Sequence, residues 1–170
     1  MDAVESHGSQ VLSPRRHSRA AVKIWIDADA TPREVKEIVF RAAKRLGVET
    51  VLVANQRLQP PAGNSFISAV RVDGGPDIAD QHIVAHAAPG DLVITQDIPL
   101  AAELVPKGIA VLDPRGQVHT LETIGERLSM RNIMEDFRMA GGTTGGPPPF
   151  DARAKQAFAG ALDRTLTRLR

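Results

Sequence analysis

The stretch Val22-Lys-Ile-Trp-Ile-Asp-Ala-Asp-Ala-Thr-Pro32 decides how the chain is read. Its first five residues form a short apolar run suited to a buried strand. Thr31 and Pro32 then open a helix, with the proline where its missing N–H is harmless. Val35, Ile38, Val39, Ala42 and Leu46 recur at helical spacing, and Gly47 is the natural stop. Between strand and helix, at the strand's carboxyl end, stand Asp27 and Asp29.

The same unit repeats outward. Val48 to Ala54, Phe66 to Val72, Asp91 to Thr95 and Ile109 to Leu112 read as further strands. A helix follows Gly74-Gly75-Pro76 through Ile78, Ala79, Ile83 and Ala87. Pro99 opens a shorter one that ends near Gly108. Strands alternating with helices imply right-handed crossovers and a mostly parallel sheet. Strands that are apolar almost throughout imply a sheet covered on both faces. The expected fold is therefore α/β, with about five mostly parallel strands between helices. After Asp113-Pro-Arg-Gly116 the alternation stops. Leu121 to Met139 reads as a long helix with Leu121, Ile124, Leu128 and Phe137 inward. A Gly/Pro-rich loop precedes a last helix capped by Asp151, whose stripe of Ala154, Phe158, Leu162, Leu166 and Leu169 reads as core packing.

Composition narrows the function classes. A chain of 170 residues is long enough for one domain with a proper core, expected over 22–170. Residues 1–21 are polar and rich in arginine, lack the apolar segment of a secretory signal, and read as a disordered extension. There is no cysteine, which rules out disulfides and zinc–thiolate sites and fits a reducing compartment, so the expected location is cytoplasmic. No run approaches the roughly 20 apolar residues of a membrane span. The net charge of +1 leaves no bulk basic field for nucleic acid, so contact with a polyanion must rest on a local patch or a metal. Five Phe, one Trp and no Tyr argue against a base-stacking platform.

The acidic residues carry the functional reading. Ligands of open α/β sheets bind outside the carboxyl ends of the strands. Asp27 and Asp29 follow the first strand, Asp73 the third, Asp97 the fourth and Asp113 the fifth. Asp77 and Asp80 share a face of the helix after the third strand. Carboxylates crowded on one rim repel one another unless a cation neutralises them, and Mg²⁺ or Mn²⁺ suits an all-oxygen site. Singly, each aspartate also fits a helix cap or a turn. Asp113, followed by Pro114, is the weakest of the set. Arg115 falls at the same rim, where it can grip a phosphate or pair with an aspartate. His82 and His86 have metal-ligand spacing but lack a His-Glu-x-x-His pattern, which favours a surface or packing role. No nucleophile elbow, dinucleotide fingerprint or phosphate-binding loop is present.

Several ordered motifs, Ile26-Asp-Ala-Asp-Ala30, Leu52-Val-Ala-Asn-Gln56, Asp77-Ile-Ala-Asp80, Asp91 to Ala101, Pro114-Arg-Gly116 and Gly145-Gly-Pro147, resemble the YaiI/YqxD family of bacterial proteins. The resemblance covers the chain from about Lys23 to its end. That family, itself functionally uncharacterised, is similar to PIN-like nuclease domains, in which strand-end acids bind Mg²⁺ or Mn²⁺ and cut RNA or DNA. The resemblance implies that Asp27, Asp97 and one of Asp77 or Asp80, taken as Asp80, are catalytic and that Asp27, Asp29, Asp77, Asp80 and Asp97 supply metal ligands. The expected substrate contacts are Thr95, in the Thr-x-Asp motif, and Arg115, by its place at the rim; the substrate would be RNA or a small phosphate-containing ligand. The alternative is a non-catalytic PIN-like module that binds a nucleotide, an RNA end or a protein partner. Members of the family carry cysteine where Thr31 stands, so thiol chemistry is excluded in this chain.

Overall fold

The structure, a computed structural model, describes residues 21–146 and 148–170. The extension expected over residues 1–21 lies, apart from its last residue, outside them. Strand β1 (Lys23–Asp27) is the centre of the molecule. Its side chains alternate between two cores, as a pleated strand requires. Ile24 and Ile26 face one core, where they meet Val35 and Val39 of helix α1 (Arg33–Leu46) and Phe158, Leu162 and Leu166 of helix α5 (Ala152–Leu169). Trp25 faces the other. There lie Ala79 and Ile83 of α2 (Pro76–His86), Leu100 and Leu104 of α3 (Ile98–Leu104), and Ile124 of α4 (Leu121–Met139).

Strands β2 (Glu49–Ala54) and β3 (Ile67–Arg71) extend the sheet on one side of β1. Strands β4 (Leu92–Ile94), β5 (Ala110–Leu112) and β6 (Val118–His119) extend it on the other, giving the order β3-β2-β1-β4-β5-β6. The first five strands are parallel, and β6 pairs with β5 antiparallel. This is the α/β arrangement expected, with helices on both faces, C-terminal helices and a PIN-like strand order. The chain reverses its direction of growth between β1 and β4, so a crevice opens at their carboxyl ends.

Two details depart from the sequence reading. The sheet has six strands rather than about five, because β6 is two residues long and too short for any periodicity. It returns through a tight turn in which Asp113 Oδ1 accepts the backbone N–H of Arg115 at 2.6 Å. Gly116 sits in that turn at φ 89°, and a Cβ there would stand 2.7 Å from the carbonyl oxygen of Ala157 in α5, so only glycine fits. The second departure is α4. Leu121 is 69% exposed and Phe137 50%, and Ile124 alone of the expected inward set is buried. The helix packs on α3 and the 3-10 turn behind it (Val105–Lys107), and its second half gains little cover.

Asp91, just ahead of β4, is an acid with a purely structural place. It is buried and accepts from the backbone N–H groups of Lys23 (3.2 Å) and Ala88 (2.9 Å) and from Trp25 Nε1 (3.1 Å). Asp91→Ala strands these donors, that of buried Trp25 above all. The expected loss is about 3 kcal/mol in urea denaturation, with Asp91→Asn recovering part of it. No helix among the described residues is long and apolar enough to cross a membrane.

Candidate functional site

Asp27 is the last residue of β1 and is 6% exposed. Its backbone carbonyl accepts from Thr31 Oγ1 at 2.7 Å, which ties the strand end to the start of α1. Register pairs Ile26 with Ile94, so Thr95 arrives beside Asp27. Thr95 Oγ1 donates to Asp27 Oδ2 (3.1 Å) and accepts from the backbone N–H of Asp97 (3.0 Å). Asp97 in turn caps α3 through the N–H of Leu100 (3.1 Å). One hydroxyl thus fixes two carboxylates across the crevice.

Helix α2 brings Asp80 to the same place from the Trp25 face of the sheet. Asp29, in the 3-10 turn after β1, closes another side; its oxygens accept from the backbone N–H of Asn55 (2.7 Å) and from Gln56 Nε2 (3.1 Å). Asp27, Asp29, Asp80 and Asp97 line one cavity of about 500 Å³, together with Asn55 and, from α4, Arg131. A second cavity of about 500 Å³ shares Asp80, Asp97 and Arg131 and adds Asp77 and Glu103. Asp77 therefore opens onto the neighbouring space rather than onto Asp27. Asp73 is outside both and pairs with Arg71 at 3.5 Å.

Electrostatics mark the cluster. Burial pushes the Asp27 carboxyl above its ordinary range; the Thr95 hydrogen bond opposes this, while Asp97 and Asp29 add to it. Asp80 is pushed up to about 7, first by burial, then by the charge of Asp97 and a hydrogen bond shared with it, then by Asp27 and Asp77. Folding holds the Asp80 proton more tightly than the unfolded chain does. The stabilisation is therefore full below the ordinary value of 3.8 and lost as pH rises through about 7. Asp80→Asn mimics the protonated acid. At about pH 8 its expected gain in stability is about 1–2 kcal/mol, after allowance for screening by water on its open side, and a few degrees in Tm. At about pH 4 wild type and variant should melt together.

The donors present suit a hard divalent ion in kind, since all are oxygens. Asn55 Oδ1 adds one more, because it is buried and has no hydrogen-bond partner among the described residues. As placed, no three His, Asp or Glu side chains among the described residues are arranged to hold an ion, so side chains must turn to do so.

The family described as "Uncharacterized BCR, YaiI/YqxD family" matches residues 25–168. The chain belongs to the YaiI/YqxD family. A UPF0178 protein of Myxococcus xanthus (strain DK1622) is 57% identical over 148 residues, covering 87% of this chain and 96% of that protein. UPF0178 proteins of Syntrophobacter fumaroxidans (52% identical; 86% of this chain, 95% of that one) and of Shewanella sp. strain ANA-3 (53%; 86% and 97%) are similar over the same extent. No solved structure matches significantly.

Within this YaiI/YqxD chain the structure places two expected substrate contacts away from the open cavity. Thr95 is 0% exposed and its hydroxyl bonds to Asp27 and to the backbone N–H of Asp97. Arg115 lines neither cavity. Its guanidinium donates to the carbonyl of Pro148 and pins the β5–β6 turn to the loop ahead of α5. Among the described residues the cation that lines both cavities is Arg131, which also pairs with Glu135 at 2.7 Å. Sequence gave no sign of Arg131, because α4 carries other arginines and only its docking on α3 selects this one. Asn55 and Gln96 were within reach, since both sit inside family motifs beside the strand ends.

Proposed function

We propose that the acidic cavity binds Mg²⁺ or Mn²⁺ and hydrolyses a phosphodiester of RNA. The observation that carries this reading is the convergence of Asp27, Asp80 and Asp97, from β1, α2 and the start of α3, on one cavity that Arg131 faces from α4. Asp27, Asp80 and Asp97 would hold the cation, and Asp29 would orient a water or a second ion. A bound ion supplies a more acidic water and neutralises charge on the phosphate. Thr95 keeps Asp27 and Asp97 in place. Arg131 supplies the group that grips a phosphate in two-pronged fashion; its pairing with Glu135 is half-exposed, and such pairs are weak. The PIN-like resemblance supports a nucleic-acid phosphodiester, of which RNA is the one proposed, and the absence of cysteine fits a cytoplasmic setting.

One observation favours a second reading, a non-catalytic module that binds a nucleotide, an RNA end or a protein partner. The carboxylates do not stand ready-made around an ion. End-labelled single-stranded RNA, incubated with Mn²⁺, separates the two. Cleavage by wild type that is lost in Asp97→Asn and on chelation supports the enzyme. Metal-independent RNA binding without cleavage supports the module.

A further inference from the structure

His82 and His86 take no part in the acidic cavity. They stand four residues apart on α2 and share one face of it, with ring centroids 4.0 Å apart and planes 19° from parallel. The Nδ1–H of His86 donates to the carbonyl of His82 at 2.8 Å. A carbonyl can only accept, so Nδ1 carries a proton in this bond, and in the neutral ring Nε2 is the nitrogen that offers a lone pair. A bond of this kind, from the remote ring nitrogen to a backbone carbonyl, is the usual support of a metal-ligating histidine. His86 is also the last residue of α2, where the negative end of the helix dipole favours a cation. Trp25 stands beside both rings, 6.2 Å from His82 and 6.3 Å from His86, and the rings must turn out of their stacked arrangement for a nitrogen of each to reach one ion.

We infer that His82 and His86 form a two-imidazole clip for one borderline transition-metal ion, Ni²⁺, Cu²⁺ or Zn²⁺, at a site separate from the acidic cavity. Imidazole nitrogen selects these ions over Mg²⁺ and Mn²⁺, which prefer oxygen, so the two sites are chemically independent. With two protein ligands the ion keeps positions open to water or to an outside ligand, as an exchangeable site does. Asp80, two residues before His82, lies around the helix on the cavity side and is not part of the clip.

The test uses the full, untagged chain in calorimetric titration with Ni²⁺, with excess Mg²⁺ present to occupy oxygen sites. Wild type is expected to bind one Ni²⁺. His82→Gln and His86→Gln should each weaken binding by at least about tenfold, since each leaves a single tethered ligand. Asp27→Asn should bind as wild type does. Trp25 is the chain's one tryptophan, so bound Cu²⁺ should quench its emission in wild type and far less in His86→Gln. His86 is exposed, and glutamine there leaves the fold intact. Binding that either histidine variant retains at full strength would overturn the inference. So would binding lost in Asp27→Asn, or Trp25 emission that Cu²⁺ leaves unchanged.

Discussion

Phe158→Ala is expected to cost about 3–5 kcal/mol, the ordinary loss for a large aromatic deleted from a close-packed core. Phe158 is 0% exposed and belongs to the core beneath β1, with Leu162 and Leu166 beside it on α5. A domain of this kind has about 5–15 kcal/mol in total, so the loss is a large share, and Tm should fall by about 10 °C. Phe137→Ala is the control. Phe137 is 50% exposed on α4, and its loss should stay within about 0.5 kcal/mol. Urea denaturation followed by circular dichroism compares the two. Equal effects would mean that α5 does not cover the sheet as described.

Asp27→Asn is expected to leave stability nearly unchanged and, under the function proposed above, to lower metal-dependent cleavage by about a hundredfold or more. The fold should tolerate the change for two reasons. Burial already disfavours the charge on Asp27, and an amide oxygen can still accept from Thr95 Oγ1. Function should not tolerate it, because a neutral amide is a poor ligand for a hard cation. Loss of even about 3 kcal/mol of charge stabilisation in the transition state accounts for the hundredfold. Asp97→Asn should behave alike, since asparagine keeps the cap on α3 while removing the charge. Cleavage rates measured with equal Mn²⁺ decide it, and a variant as fast as wild type would remove Asp27 from the chemistry.

What could be read from residues alone followed from short-range rules. Strand β1 was legible because Ile24, Trp25 and Ile26 leave no polar side chain between two cores, and α1 because its apolar period closes on Gly47. The rim of aspartates was legible because parallel strands must all end on the same side. The parts that escaped depend on how elements dock. Asp91 and Asp97 look alike in sequence, yet one is tied to Trp25 and two backbone amides while the other opens onto the cavity. Thr95 sits beside the rim, but its hydroxyl turns inward to two aspartates. The apolar residues of α4 obey helical spacing, but spacing cannot tell how much of a helix has a neighbour, and Phe137 has little. Arg131 faces the carboxylates only because α4 crosses α3 there.

The measurement that bears most directly on the acidic cavity is a calorimetric Mn²⁺ titration of wild type against Asp27→Asn. Saturable binding in wild type, lost in the variant while its melting curve is kept, is the predicted result. Heats that are absent from both, or identical in both, would contradict the assignment of Asp27, Asp80 and Asp97 to a divalent cation.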